Sequence, residues 1–175
     1  GADVAWLDAV VAHGGWNSFD IVALHPYVLP GSLDKGWFES MDLTKISDFV
    51  NRNGGNKPIW FTEIGWSSAA TGVGLGSEQR QANYLVRQYV QALAWPGVEK
   101  VFVHRFRDSD DHSREDENRY GLVRSDWVTP KPVYHAYRNM AQRLDGASPA
   151  GKLSLGGGVY GYRFQRGDSS VDVIW

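Results

Sequence analysis

The chain has 175 residues, 42 % of them hydrophobic and 22 % charged, which is enough to close one core and argues against disorder. Eighteen basic against twenty acidic side chains leave a net charge of −2, so nothing favours nucleic acid or an anionic membrane surface as a partner. There is no cysteine, which excludes disulfides, thiol catalysis and thiolate metal sites, and no stretch approaches the roughly 18 apolar residues of a membrane span.

In chain order, Val4, Leu7, Val10 and Val11 recur at helical spacing until Gly14 and Gly15 stop them. FDIVALHPY, residues 19 to 27, is apolar and β-branched without polar alternation, as in a parallel strand covered on both faces, and Pro26 ends its ladder. Met41, Ile46, Phe49 and Val50 predict a helix closed by NRNGGN, and PIWFTEIGW from residue 58 a second buried strand. SEQRQANYLVRQYVQALAW has Ala82, Leu85, Tyr89 and Leu93 on one stripe, Ser77 as N-cap and Pro96-Gly97 as stop. A third strand spans residues 98 to 106. After an acidic loop, Thr129, Pro130 and Pro132 open a helix carried by Val133, Ala136, Tyr137, Met140 and Leu144.

This alternation implies a parallel sheet with right-handed crossovers, open and doubly wound or closed as a (β/α)₈ barrel. Residues 1 to 145 form that unit, and residues 146 to 153 read as a linker. From 154 to 175 a different pattern begins: Tyr160, Tyr162 and Phe164 alternate, GDSS turns, and Val171, Val173 and Trp175 alternate again, as in an antiparallel hairpin.

One charge stands out. Glu63 ends the apolar run PIWFTEIGWSS, and period-two alternation puts it on the face of Ile59 and Phe61, opposite Trp60, Thr62 and Ile64. In parallel α/β folds ligands bind at the C-terminal strand ends, where Glu63 stands just before Gly65. His25 and Tyr27 occupy the same end of the preceding strand; His104 or Arg105 ends the next, with Asp108 close behind. Three successive strand ends carrying polar, reactive groups predict a site.

Other chemistries fit less well. The loop DSDDHSREDENRYG from Asp108 fails the calcium-loop pattern, with Ser113 at the sixth position and Arg119 at the twelfth. His13, His112 and His135 lack partners at metal spacing, and GVGLG at 72 to 76 follows a loop rather than a strand. No metal and no cofactor is expected.

HPY after one strand, WFTEIGWSS after the next, and YGLVRSDWVTPKPVYHAYRN after the third resemble strands six to eight of the clan A retaining glycoside hydrolases, as in families 39 and 5. The resemblance implies the C-terminal portion of a (β/α)₈ barrel that hydrolyses β-glycosides, followed by the start of a small antiparallel, sandwich-like module. It puts Glu63 in the place of the nucleophile and His25 and Tyr27 where those enzymes bind sugar or orient that group. Trp66 and Trp37 would supply stacking platforms, and Arg105, if it points inward, a cation. Two departures are visible: no Asn-Glu pair supplies the acid/base, and VFVHRFRD lacks the family's Trp after strand eight, leaving Phe106 or His104 to replace it.

A complete barrel needs about 250 residues. The expected partners are therefore an oligo- or polysaccharide substrate and the remainder of the chain's own barrel, and these residues alone are expected not to turn over substrate. The alternative is a non-catalytic carbohydrate-binding or scaffold protein. Residues 1 to 13 lack the pattern of a signal peptide, so the compartment is unread, although glycan degradation would suit an extracellular location.

Overall fold

The computed structural model describes residues 3–27, 43–71 and 76–175. Helix α1 (Val4–Ala12) starts where the Asp3 carboxylate accepts the N–H of Trp6 at 3.1 Å, and it buries none of its residues fully. Strand β1 (Val22–Leu24) follows, then helix α2 (Leu43–Arg52), which buries Leu43, Ile46, Phe49 and Val50 on one face. Strand β2 is Ile59–Ile64 and helix α3 is Glu78–Leu93. As the sequence predicts, the Ser77 side chain caps α3 by accepting the N–H of Arg80 at 3.0 Å. Strand β3 (Val98–Val103) leads through a long loop to helix α4 (Pro132–Leu144), whose first residue is a proline that leaves no helical hydrogen bond unmade.

The three strands form one parallel sheet in the order β1-β2-β3, with Val22 opposite Ile59, Leu24 opposite Phe61, and Phe61 opposite Val101. Val22, Leu24, Ile59, Phe61 and Ile64 are buried on one face, in one cluster with the apolar residues of α2 and with Leu85, Tyr89 and Val90 of α3. At roughly 1.5–3 kcal/mol for each fully buried large apolar side chain, this face is the main source of stability. The opposite face is different: Ala23, Lys100 and Phe102 are exposed. The strands were expected to be covered on both faces, but among the described residues only the helical side is closed.

A second sheet, antiparallel and ordered β4-β5-β6, consists of Ser148–Lys152, Gly161–Arg166 and Ser169–Ile174. Residues 146 to 153, read from sequence as a linker, thus contain an edge strand. SPAGK has no apolar alternation, so nothing in the sequence marks it, and all five residues are exposed; its pairing with β5 comes from tertiary placement, and Pro149 is tolerated at a sheet edge. Phe164, 1 % exposed, joins this sheet to the main core. No helix among the described residues is long and apolar enough to cross a membrane.

Candidate active site

Glu63 does not obey the simple alternation predicted for it. The β2–β3 register is irregular between Phe61 and Ile64, and the buried positions run Ile59, Phe61, Ile64 rather than Ile59, Phe61, Glu63. The irregularity turns Ile64 inward and leaves the Glu63 side chain 36 % exposed, the kind of re-aiming that bulges bring about beside functional sites.

Three polar groups converge on one oxygen of Glu63. The Tyr27 hydroxyl donates to Oε2 at 2.9 Å, His25 Nδ1 lies 3.5 Å from the same atom, and His104 Nδ1 lies 3.9 Å from it. Burial, followed by the hydrogen bond to Glu63 and its charge, raises the Tyr27 pKa well above the ordinary phenol value, so this hydroxyl stays a donor. The ring of Tyr120 meets those of Tyr27 and His104 edge to face at 5.8 and 5.5 Å, and its own pKa is pushed up to about 12 by burial and by nearby Asp116 and Glu117. Glu117 Oε1 approaches His104 Nε2 at 3.2 Å, which orients the imidazole from its far side.

The ends of β2 and β3 are held close together. His104 donates its backbone N–H to the Ile64 carbonyl at 2.7 Å. At Gly65 an added Cβ would fall 2.1 Å from the His104 carbonyl oxygen, so only glycine permits this approach.

Other predicted residues are placed elsewhere. Arg105 donates to the Ser109 hydroxyl and to the Glu117 carbonyl, bracing the loop; of the two residues offered for this strand end, it is His104 that faces Glu63. Trp66 is 3 % exposed and lies against Tyr84 with ring centroids 4.6 Å apart, so it is core and has no open face for a sugar. Phe106 is exposed, and Trp37 lies outside the described residues.

Asp108 is also corrected. It is fully buried, where Lys131 Nζ donates to both its oxygens at 3.0 and 2.9 Å, Arg119 Nε lies at 3.2 Å, and the Gly121 N–H donates at 2.6 Å. A carboxylate so saturated has no lone pair facing solvent and cannot touch substrate. Lys131 also donates to Ser68 Oγ at 3.0 Å, tying together the segment after β2, the loop after β3 and the start of α4. Burial lowers the Lys131 pKa, and Asp108 opposes that shift.

Lys131, Arg119, Tyr120 and Glu117 were missed in the sequence because their loop is polar and aperiodic. The available signal was Tyr120, an aromatic at the end of a charged run with no helical or strand pattern to bury it. Among the described residues no group of three metal-ligating side chains could hold an ion.

The fold has known counterparts. A family 39 glycoside hydrolase from the gut symbiont Bacteroides cellulosilyticus WH2 superposes with a TM-score of 0.76 at 28 % identity, over 98 % of this chain and 36 % of its own. The chain resembles a glycoside hydrolase. A GH2 β-galacturonidase from Eisenbergiella tayi (TM-score 0.52, 20 % identity, 70 % of this chain and 23 % of that one) shares the fold. So does a β-glucuronidase from Ruminococcus gnavus (0.51, 19 %, 74 % and 24 %). The chain spans only about a third of the family 39 protein's length. No protein-family model matches it, and no curated protein matches it in sequence.

Proposed function

We propose that this chain is the nucleophile-bearing part of a retaining glycoside hydrolase acting on β-linked glycosides, with Glu63 as the nucleophile. The observation that carries the reading is the convergence of Tyr27, His25 and His104 on Oε2 of a part-exposed carboxylate at a C-terminal strand end. The likeness to glycoside hydrolases supports it.

Retaining hydrolysis needs a carboxylate that stays ionised, attacks the anomeric carbon and leaves again as the ester is hydrolysed. Tyr27 donates to Oε2 at 2.9 Å and holds that oxygen in place before attack. The oxocarbenium-like transition state carries positive charge that the carboxylate faces, and as the ester forms both charges are lost and the hydrogen bond from Tyr27 weakens. His25 and His104 flank the same oxygen and limit the rotation of the carboxylate. The acid that protonates the leaving group, about 5 to 5.5 Å from the nucleophile in such enzymes, would come from outside these residues.

In this reading residues 1–145 are the last three βα units of a (β/α)₈ barrel. The remaining strands would pair with the outer edges of β1 and β3 and cover the face that exposes Ala23, Lys100 and Phe102. The antiparallel sheet would begin an accessory module. Treating the full-length protein with a 2-fluoroglycoside inactivator and mapping the label by peptide mass spectrometry tests the assignment. Label on Glu63 is expected, and label on any other residue overturns it.

The alternative is a carbohydrate-binding protein built on a glycosidase scaffold. In that case the full-length protein would bind oligosaccharide and take up no label.

A further inference from the structure

The loop before α4 displays an indole in an unusual way. Trp127 is 64 % exposed, and its φ of 71° lies in the left-handed region that bulky residues seldom enter. A strained conformation persists only where its surroundings over-determine it, and such residues gather at ligand clamps and switches.

The surroundings here do over-determine it. The Asp126 carboxylate accepts the N–H groups of Val128 and Thr129 at 2.9 and 2.8 Å and the Thr129 hydroxyl at 2.5 Å. Trp127 donates its own N–H to the Arg124 carbonyl at 3.2 Å, and Arg124 donates to Thr129 at 2.9 Å. The Arg107 guanidinium lies 4.4 Å from the indole centroid and is itself fixed by donating to the Ser125 carbonyl at 3.2 Å. Asp111 holds Ser125 by both N–H and hydroxyl, at 3.1 and 2.7 Å.

Burial is the usual reward for ordering a tryptophan. Here the ring is ordered and left open, so what the loop preserves is the presentation of an indole beside a cation. Arg107 is three residues beyond His104, so this loop leaves β3 at the same end at which His104 meets Glu63. The guanidinium lies over one face of the indole and leaves the other to solvent, and a flat apolar face backed by a cation suits a pyranose ring, whose C–H face stacks on that open side.

We propose that Trp127, with Arg107, forms a platform for a sugar unit remote from the scissile bond, so that the site takes an oligosaccharide rather than a lone glycoside. The proposal rests on the glycosidase reading for its place in a reaction, but the binding itself can be measured without turnover.

The test compares full-length wild type with Trp127→Ala and Trp127→Phe on an aryl monoglycoside and on hexasaccharides of glucose and xylose. Trp127→Ala is expected to raise KM for the hexasaccharide about tenfold relative to KM for the aryl glycoside, and Trp127→Phe to recover most of that ratio. An unchanged ratio, with both constants moved together or neither moved, overturns the platform. In the Glu63→Gln protein the Trp127 indole N–H resonance should shift on adding a hexasaccharide and remain unmoved by the monosaccharide. If wild type turns over no glycoside, the glycosidase reading fails while this resonance still decides the platform. No shift with any hexasaccharide, or an indole shielded from acrylamide quenching in the free full-length protein, overturns it.

Discussion

Glu63 lies at the end of β2 and Asp108 in the loop after the neighbouring β3, and the chain surrounds these two carboxylates in opposite ways. Asp108 is sealed from solvent against the Lys131 ammonium and the Arg119 guanidinium, with a backbone N–H on one oxygen. Glu63 keeps 36 % of its side chain exposed and takes a phenol and two imidazoles. A carboxylate saturated by permanent cations is committed to the fold, because losing either partner strands a buried charge. One held by a neutral donor and left open keeps the capacity to form a bond. Partner type and exposure thus separate a sealed acid from an open one where sequence position does not, and the open one is the proposed nucleophile.

The largest expected effect lies on the open side. Glu63→Gln in the full-length protein should lower kcat/KM by about 10⁴-fold or more while the melting temperature moves little. A variant that keeps most of its activity would end the distinction.

The converse result is expected for the sealed acid. Asp108→Asn should cost about 3–5 kcal/mol of stability in denaturant unfolding, because it leaves Lys131 buried without its counter-charge. Lys131→Met together with Asp108→Leu should cost less than the two single changes added, which a double-mutant cycle would read. Full additivity would mean the pair is not coupled.

Tyr27→Phe removes one donor from a charged acceptor. It should reduce kcat by about tenfold to a hundredfold, corresponding to about 1.5–3 kcal/mol, with little change in stability. An equal loss of stability would assign Tyr27 to the fold instead, on the side of Asp108.

A third carboxylate, Asp126, gives the smallest effect. Its pKa is lowered by the Thr129 hydroxyl and by the Thr129 and Val128 N–H groups, so its contribution to loop order is complete above the ordinary value of 3.8 and is lost as pH falls through the lower folded value. Below pH 3.8 the environment of Trp127 should loosen while the core holds, as indole fluorescence would report. A change centred above 3.8 would contradict the role of Asp126.

The sequence was most informative where pattern and chemistry are local. The alternation of apolar strands and amphipathic helices, the Ser77 cap, the proline start of α4 and the β5–β6 hairpin all appear where their residues predict them. The cluster of His25, Tyr27, Glu63 and His104 was foreseeable because parallel strands bring their C-terminal ends to one rim. Strand β4 was hidden because an exposed edge strand needs no apolar period, only a partner.

By itself, then, the sequence determined the order of elements, the parallel sheet and the residues that meet at its rim, because hydrophobic period and turn chemistry act over a few neighbours. Only the tertiary structure decided which carboxylate is spent and which is available. The register irregularity that turns Glu63 outward depends on pairing with β3, and the burial of Asp108 depends on Lys131, 23 residues away. It also decided that Trp66 is core while Trp127 stands in the open, since the same side chain serves either purpose until its neighbours are placed.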